Sequence, residues 1–393
     1  MTAQDHAPTV AIAGAGLGGL AAALALQRQG IAVAVYEQAA ELGEVGAGIT
    51  LHPNAVKALA WLGLADEIAA TGVVVARNAI KHWQTGAILV AQEKGDETIR
   101  KFGAPLIQTH RADVHRALEQ AVRRNDPGCI RVSHGLKDFR ETADDVELTF
   151  ANGTTARNGI LIGADGIKSV VRARAFSPEP PRFMGRVSWR GVVPRARVPD
   201  AALQPGSAIL IGPGATFGYY LMRAGTLVNY VATVTTDIWT EEGWSIPSTI
   251  DEVLVHFPGW HADVAAIIGA TPPGACFKWA LFAHAPLKGW TQGRIALLGD
   301  AAHPMLPFMG QGAAQAIEDG VILARCLIAE PDPVAALRRY ERARIARATF
   351  IQLESTAKAE RWESRDTDAY RGQKHRNEDE MGVFDYDAGT AAI

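Results

Sequence analysis

A glycine-rich turn near the start of the chain, residues 14–19 (GAGLGG), constrains the fold more than any other stretch. It follows an apolar run over residues 10–13 that we predict as a buried strand. It also opens an apolar segment over residues 20–29 with helical spacing, and a second strand-like run over 32–36 ends at Glu37. Strand, G-x-G-x-x-G turn, helix, strand and acid together form the dinucleotide-binding fingerprint in its required context. The sequence therefore predicts a βαβ unit that binds an ADP moiety.

Four residues of this unit have separate tasks. Gly14 allows the tight turn, Gly16 lets the backbone approach a pyrophosphate, and Gly19 lets the helix pack on the strand. Glu37 can accept hydrogen bonds from ribose hydroxyls. These residues alone do not distinguish NAD from FAD.

A second strand–turn–helix unit lies near the end of the chain. An apolar run over residues 294–298 leads into Gly299-Asp300, then Pro307, a Gly-Gln-Gly turn over 310–312 and a helical pattern over 313–327. A helix N-terminus offers unpaired N–H groups and a positive dipole end, which suits an anionic or electron-rich group. An ordinary strand–turn–helix explains the same residues equally well.

The middle of the chain contains another strand–turn–helix pattern, and β-rich runs follow it. Residues 163–166 (GADG) end a strand and precede a short helix, and Arg111 begins another helix, where a solvated side chain is the simplest interpretation. Over 183–285, short β-rich runs alternate with glycine and proline turns, with a helical stretch over 249–269. This pattern predicts an inserted antiparallel sheet with a helix.

Composition narrows the class of protein. The chain is 48% hydrophobic with a net charge of −3, so it lacks the basic excess that nucleic acid or an anionic membrane would require. We expect no signal peptide and no membrane span, because the N-terminus is polar and apolar runs are interrupted early. The three cysteines are widely spaced, which is typical of reduced thiols in a cytoplasmic protein.

Three ordered stretches, 14–37, 163–172 and 299–312, resemble the single-component FAD-dependent aromatic hydroxylases, especially the salicylate hydroxylase and 6-hydroxynicotinate 3-monooxygenase branch. The likeness covers nearly the whole chain. The resemblance implies an α/β fold in which a Rossmann-like FAD-binding domain carries an inserted antiparallel-sheet substrate domain and a C-terminal helix. The expected segments are 1–182 (FAD-binding domain, first part), 183–285 (substrate-binding sheet), 286–334 (FAD-binding domain, return) and 335–393 (C-terminal helix and tail).

The resemblance also implies the residues that hold FAD. Asp300 would bond a ribityl hydroxyl, the amides of Gly312 and Ala313 would face the isoalloxazine edge, and Arg111 would contact the ribityl–pyrophosphate region rather than solvent. The full expected set is Gly14, Gly16, Leu17, Gly19, Glu37, Gln38, Gly48, Thr50, Arg111, Leu136, Asp165, Asp300, Pro307, Gly310, Gln311, Gly312 and Ala313.

The activity implied is hydroxylation of a small phenolic or N-heteroaromatic ring that carries a carboxylate. NADH or NADPH would bind transiently and reduce FAD, and O2 would add to give a C4a-hydroperoxide that transfers OH while water is excluded. The rival interpretations are a flavoprotein oxidase or dehydrogenase, a flavin-bound redox module without turnover, and a plain NAD-dependent dehydrogenase. The long helix from Ala335 could serve a homodimer interface or only cover the core.

On the substrate side, the resemblance points to Tyr219 and Tyr220, which lie where related enzymes carry a catalytic tyrosine or histidine. Because neighbouring strand residues point to opposite faces, only one of the two can face the pocket. His52 is the third catalytic candidate. Thr50 takes a place that is histidine in the hydroxynicotinate enzymes.

Three further side chains complete the expectations. Phe308 replaces a polar residue common in the family and is expected to line a more apolar substrate pocket. Arg223 is the candidate for a substrate carboxylate, whereas Arg190 is expected to be structural. We expect no metal site, because no second ligand is suitably spaced from His303.

Overall fold

The computed structural model describes residues 10–43, 47–239, 241, 243, 245–364, 367, 370 and 378–393. The polar N-terminus, part of the glycine-rich stretch after Glu37 and part of the C-terminal tail lie outside these residues. The strands, in chain order, are β1 (Val10–Ala13), β2 (Val33–Tyr36), β3 (Gly48–Leu51), β4 (Val73–Val74), β5 (Arg77–His82), β6 (Ile88–Glu93), β7 (Ile107–His110), β8 (Ile130–Arg131), β9 (Leu136–Glu141), β10 (Val146–Phe150), β11 (Thr155–Asn158), β12 (Ile160–Gly163), β13 (Arg182–Pro194), β14 (Ser207–Gly212), β15 (Ala215–Met222), β16 (Leu227–Thr235), β17 (Ile246–Pro247), β18 (Cys276–Ala283), β19 (Thr291–Gln292) and β20 (Ile295–Leu297).

The helices are α1 (Leu17–Arg28), α2 (Pro53–Trp61), α3 (Ala65–Thr71), α4 (Gly95–Phe102), α5 (Arg111–Asn125), α6 (Val170–Ala175), α7 (Ile250–Leu254), α8 (Ala262–Gly269), α9 (Gly312–Ala329) and α10 (Pro333–Trp362). The helical stretch expected over 249–269 is interrupted, because the chain leaves α7 and starts α8 only after a turn that contains Pro258 and Gly259. The long charged helix is confirmed as α10, with Asp332 capping its first turn.

A mostly parallel sheet organises the fold. Its strand order is β19-β20-β12-β1-β2-β8, and only the β19 pairing is antiparallel. Its central strands are four-residue apolar runs buried on both faces, as expected for parallel strands covered by helices. Parallel pairing brings the carboxyl ends of β1, β12 and β20 to one edge. The loops that follow these strands therefore lie side by side. They belong to the stretches 14–37, 163–172 and 299–312, which we call the first, second and third motif.

Helix packing explains the small residues of α1 and α9. The two helices lie so close that a Cβ added at Gly320 of α9 would be 2.7 Å from the backbone nitrogen of Ala22 in α1. The long helix α10 covers α9, and its Arg344 is fully buried against it. The predicted α/β fold with a Rossmann-like unit is confirmed.

A second, eight-stranded sheet has the order β17-β18-β13-β16-β15-β14-β5-β6. All its pairings are antiparallel except β14 with β5. The sheet therefore extends beyond the stretch 183–285 that we predicted for it, because the hairpin β5–β6 comes from the first part of the chain and pairs through Ala208↔Ala79. The domain boundaries themselves stay a prediction.

In the part of the chain that the structure describes, none of the helices combines the length and the apolar character needed to cross a bilayer.

Candidate active site

A cavity of about 780 Å³ lies where the motif loops of the parallel sheet meet one face of the eight-stranded sheet. Its lining from the motif loops comprises Gly16, Leu17, Gly18, Ala164, Gly166, Gly299, Asp300 and residues 305–310, 312 and 313. Its lining from the eight-stranded sheet includes Arg190, Ile209, Thr216, Gly218, Tyr220, Val231, Trp279 and Leu281. The three stretches singled out in the sequence are thus brought together around one space.

The glycines of the first motif divide into two kinds. Gly14 has φ +105°, and a Cβ there would lie 2.4 Å from the carbonyl oxygen of Ala164; a Cβ at Gly19 would lie 2.1 Å from the carbonyl oxygen of Gly14. These two positions are restricted by the protein itself. Around Gly16, in contrast, no protein atom lies within 4 Å of an added Cβ. Gly16 therefore borders open space that a ligand can enter.

The N-terminus of α1 is suited to an anion. Gly16 is its N-cap residue, and among the described residues no side chain caps it and no acid lies in its first turn. Its first N–H groups are therefore available to a pyrophosphate. The turn is held from behind by the buried ring of His115, whose Nε2 lies 2.8 Å from the carbonyl oxygen of Ala15. Sequence reasoning missed His115, because nothing in its own helix pattern signals this contact.

Glu37 binds the turn as well as ending β2. One carboxylate oxygen accepts from the N–H of Ala15 and the other from the N–H of Ala39, both at 2.8 Å. Gln38 is exposed, and Leu136 lies near it, since the preceding residue Gly135 approaches Gln38 closely. Gln38 and Leu136 do not line the cavity, so any contact with a nucleotide would occur at its outer end.

The Asp165 side chain is hydrogen-bonded within its own loop. Its carboxylate accepts hydrogen bonds from the hydroxyl of Ser169 at 2.5 Å and the N–H of Val170 at 2.7 Å, so it caps α6. Burial raises the pKa of Asp165, and these hydrogen bonds oppose the rise. The side chain therefore orders the loop, while the neighbouring residues Ala164 and Gly166 line the cavity.

Arg172, on α6, links the second motif to the third. It is buried and donates from Nη1 to the carbonyl oxygens of Ala301 and Ala302, at 3.0 Å each, and from Nη2 to Ala285. The loop that carries Asp300 is thereby tied to the loop that carries Asp165. The second motif, which runs from Asp165-Gly166 to Arg172, marks Arg172 in the sequence. The sequence does not reveal which carbonyl oxygens Arg172 would bond.

Asp300 opens into the cavity from a short turn at the end of β20. The Asp300 side chain is exposed to this cavity. The protein walls around the cavity raise its pKa by desolvation, while His303 and Arg111 lower it. Arg111 lines the same cavity at the start of α5. A carboxylate and a guanidinium thus face one space, with the α9 N-terminus at Gly312 beside them.

A buried ionic network between α9 and α10 holds the loop of the third motif in place. Arg344 donates to Glu318 and to Asp319, at 2.7 Å each, and all three side chains are fully buried. Asp319 also accepts from the N–H of Gly299 at 3.0 Å and lies 2.6 Å from His303 Nε2. His303 therefore bonds a carboxylate.

The same network fixes the Gly-Gln-Gly turn. The amide of Asn54 donates to Gln311 at 2.9 Å and to Glu318 at 2.6 Å. The Gln311 side chain is fully buried and faces this network. It does not line the cavity, so the predicted cofactor contact of Gln311 does not come from its side chain. In the sequence, this network is indicated only by Glu318 and Asp319, two charged residues inside the apolar pattern of α9.

The strand β15 decides between the two tyrosines. Tyr219 is 1% exposed, and its ring packs with Phe217 in the core on the opposite side of the sheet from Tyr220. Tyr219 is also among the residues that line the cavity. Because its ring packs into the core on the other face of the strand, the geometry favours Tyr220, and the catalytic and substrate-binding assignment of Tyr219 stays a prediction. Tyr220 lines the cavity and hydrogen-bonds Thr50.

Tyr220 is tightly placed. A Cβ at Gly48 would lie 2.4 Å from its hydroxyl, so only glycine fits at that point of β3. Burial raises the pKa of Tyr220 above its ordinary value, with Arg190 and the Thr50 hydrogen bond opposing. The hydroxyl is therefore neutral at ordinary pH, and it acts as a hydrogen-bonding group rather than as a strong base.

The two arginines lie in different surroundings. Arg223 lies outside the cavity lining, where it forms a two-pronged pair with Asp113 at 2.9 and 3.0 Å. It is thus not placed to bind a substrate carboxylate. Arg190 lines the cavity with its guanidinium carbon 3.5 Å from the centre of the Trp279 ring. Stacking on Trp279 agrees with the expected structural role of Arg190 and also holds its guanidinium at the cavity wall.

The remaining candidates lie on the wall nearest α10. Phe308 lines the cavity and meets the ring of Trp362 edge-on at 6.1 Å, in agreement with an apolar pocket. His52 also lines the cavity, and burial lowers its pKa to about 4, so the imidazole is neutral at pH 7. Across the described ranges, no group of three or more His, Cys, Asp or Glu side chains could hold a metal ion.

Comparison with known proteins extends these observations. A family model described as "FAD binding domain" matches residues 7–354. The chain is 40% identical to 3-amino-4-hydroxybenzoate 2-monooxygenase PtnB3 from Streptomyces platensis, over 90% of this chain and 88% of that protein. It is 36% identical to 6-hydroxynicotinate 3-monooxygenase from Pseudomonas fluorescens, over 89% and 90%. The crystal structure of Klebsiella pneumoniae HpxO with FAD and uric acid is similar, with a TM-score of 0.83, 28% identity and 93% coverage of both chains.

Proposed function

The chain belongs to the FAD-binding family of flavin-dependent aromatic monooxygenases, and we propose that it uses NAD(P)H and O2 to hydroxylate a small aromatic ring that carries an acidic group. The observation that supports this most strongly is the shared cavity. It joins loops suited to a flavin nucleotide to a sheet face with a cation, a phenol and apolar side chains. The named relatives act on hydroxylated aromatic or N-heteroaromatic acids, which supports the same class of substrate here.

The residues present fit FAD. The uncapped N-terminus of α1 and the open space beside Gly16 suit the pyrophosphate, and Asp300 and Arg111 suit the ribityl chain. The N–H groups at the start of α9, from Gly312, suit the electron-rich edge of the ring system. When bound, FAD would pass electrons from the nicotinamide to O2, so that one oxygen atom enters the ring and the other leaves as water.

Arg190 and Tyr220 suit the substrate. A phenolic or carboxylate oxygen placed between them would face the positive charge of Arg190 and a neutral hydroxyl donor on Tyr220. Loss of the phenolic proton makes the ring more reactive, and a nearby guanidinium favours the anion that remains. Thr50, which hydrogen-bonds Tyr220, fixes the direction of that hydroxyl.

Apolar side chains on part of the sheet face limit the access of water. Ile209, Val231, Trp279 and Leu281 line the cavity opposite the motif loops, and Phe308 borders it from the third motif. A dry, apolar site strengthens the electrostatic contacts within it and limits loss of reactive oxygen to solvent. This wall supports a hydroxylase more than an oxidase.

The test is anaerobic stopped-flow reduction of the purified flavoprotein by NADH and by NADPH. The panel should contain 3-amino-4-hydroxybenzoate, 6-hydroxynicotinate, salicylate, 3-hydroxybenzoate and 4-hydroxybenzoate. We expect one compound to accelerate flavin bleaching by orders of magnitude and to be hydroxylated in air. Fast bleaching that no aromatic compound changes would contradict the proposal in favour of a reductase. A flavin that neither nucleotide reduces would favour an oxidase or a non-turnover module.

Gly16→Val is expected to weaken FAD binding without unfolding the protein. The added side chain meets no protein atom at its Cβ, so it is expected to clash with bound FAD rather than with the protein. A steric cost of 1–3 kcal/mol corresponds to roughly 5- to 150-fold weaker binding. FAD affinity is measured by fluorescence quenching on the apoprotein, and stability by thermal unfolding.

Gly269→Val is the matched control, because an added Cβ at the end of α8 also meets open space, but away from the cavity. It should bind FAD as the wild type does. Equal FAD affinity of both variants would contradict the placement of the pyrophosphate.

A further inference from the structure

The C-terminal segment, residues 378–393, forms part of the cavity wall. Glu378 and Phe384 line the cavity, although they are separated from α10 in sequence. Lys57 of α2 holds this segment by donating to the carbonyl oxygens of Phe384 and Asp385, at 2.9 Å each. Arg347 of α10 donates to the carbonyl oxygen of Val383, also at 2.9 Å. The segment is therefore anchored through its backbone on both sides.

Phe384 uses this anchorage to cover His52. The two rings are stacked, with centroids 4.7 Å apart and planes inclined by 15°. Phe102 meets Phe384 edge-on at 5.5 Å, and Phe384 itself is 3% exposed. One face of the imidazole is thus sealed by an aromatic ring that is itself held in place.

The Nε2 side of the imidazole meets the loop of the third motif. A Cβ at Gly310 would lie 3.0 Å from His52 Nε2, and Gly310 has φ +62°, so only glycine fits comfortably there. Nδ1 of His52 is buried and has no hydrogen-bond partner among the described residues. Because a buried N–H without an acceptor is more costly than a bare lone pair, the ring proton belongs on Nε2.

We propose that Phe384 is a positioning residue of the active site, which holds His52 as a neutral Nε2–H donor directed at the Gly310 side of the cavity. An acceptor atom of the bound flavin or of the ring substrate is the partner of that N–H. The C-terminal segment is then a component of the catalytic site. The meaning for catalysis rests on the proposed function, but the placement of His52 does not.

The charged groups around His52 act on its pKa in opposite directions. Glu378 raises its pKa, whereas Lys358 and Lys94 lower it. Lys358 is paired with Glu378, and Lys94 lies 3.6 Å from Asp379. Burial is the largest cause of the lowered pKa of His52, and the stacked ring of Phe384 covers one face of the imidazole. Removing the ring should let water reach the imidazole and raise its pKa toward the ordinary value.

The test is a histidine titration of the holoprotein by two-dimensional ¹H–¹⁵N NMR, which reports both the pKa and the tautomer. In the wild type we expect His52 to titrate near 4 and to carry its proton on Nε2. In Phe384→Ala we expect the pKa to rise by at least about one unit, because water restores solvation of the cation. In Phe384→Leu, which keeps an apolar cover, we expect most of the wild-type value to return.

Phe350→Ala is the matched control. Phe350 is 42% exposed on α10 and does not line the cavity, so its truncation should leave His52 unchanged. If Phe384→Ala does not fold, Lys57→Met replaces it, since it removes the anchor of the Phe384 carbonyl while keeping the ring. It should raise the pKa by a smaller amount. A His52 pKa that is the same in the wild type and in folded Phe384→Ala or Lys57→Met would overturn the proposal.

A second readout is the ratio of hydroxylated product to H2O2. We expect Phe384→Ala, but not Phe350→Ala, to divert a larger share of NAD(P)H into H2O2, because the site is less dry. The NMR result decides the placement of His52 without any turnover. A shifted pKa together with no hydroxylation of any aromatic compound would therefore remove the proposed function and leave the role of Phe384 standing.

Discussion

Arg344→Met is expected to lower the free energy of unfolding by about 3–5 kcal/mol, because it leaves buried carboxylates without their cation. Glu318 keeps Arg347 and Asp319 keeps His303, so the loss should fall near the lower end of that range. Since Asp319 holds the N–H of Gly299, the variant should also retain less FAD. Urea unfolding followed by circular dichroism, with flavin content measured in parallel, checks both effects.

Arg338→Met is the control, since Arg338 lies exposed on the same helix. Its unfolding midpoint should match the wild type. The triple variant with Glu318→Gln and Asp319→Asn removes the uncompensated charges as well and should recover part of the loss. An Arg344→Met protein as stable as Arg338→Met would contradict the assigned importance of the network.

The pH dependence of stability tests the same network. Burial alone would raise the pKa of Asp319, but His303 and Arg344 lower it to about 2. A carboxyl with a depressed folded pKa adds stability above its unfolded pKa of about 3.9, and this is lost as the pH falls through the folded value. The wild type should therefore lose this contribution between about pH 4 and pH 2. In Arg344→Met the loss should begin at higher pH.

Tyr220→Phe is expected to lower the rate of hydroxylation by roughly 10²–10³-fold, the usual effect of removing one donor to a developing oxyanion. Tyr220 lines the cavity together with Arg190, whose charge acts on the Tyr220 hydroxyl. Rates of product formation at saturating and limiting substrate, with FAD content verified, measure the loss. Arg190→Met should act in the same direction and should also raise KM for an anionic substrate.

Tyr219→Phe provides the matched control for Tyr220→Phe. Its hydroxyl is buried in the opposite layer without a hydrogen-bond partner among the described residues, so its removal should leave the rate unchanged. Arg223→Met serves in the same way for Arg190, because its partner is Asp113 outside the cavity. A greater loss of rate in Tyr219→Phe than in Tyr220→Phe would overturn the proposed substrate site.

Much of the cofactor side could be predicted from the sequence. The G-x-G-x-x-G turn over residues 14–19 and the Asp300 loop depend on backbone conformations that particular residues permit, and those signals are local. The alternation of β15 likewise established that only one of Tyr219 and Tyr220 can face the cavity. It could not establish which one, because the answer depends on which face of the sheet meets the motif loops.

The sequence by itself determined the local units: the buried parallel strands, the glycine turns, the long helix α10 and the family. The tertiary structure alone decided that the hairpin β5–β6 joins the eight-stranded sheet, that Arg190 rather than Arg223 faces the cavity, and that Phe384 covers His52. The physical reason is the separation along the chain of the residues that interact. Turn geometry and periodicity arise between neighbours in the chain, whereas burial, charge pairing and the direction of a side chain toward a cavity arise between segments hundreds of residues apart.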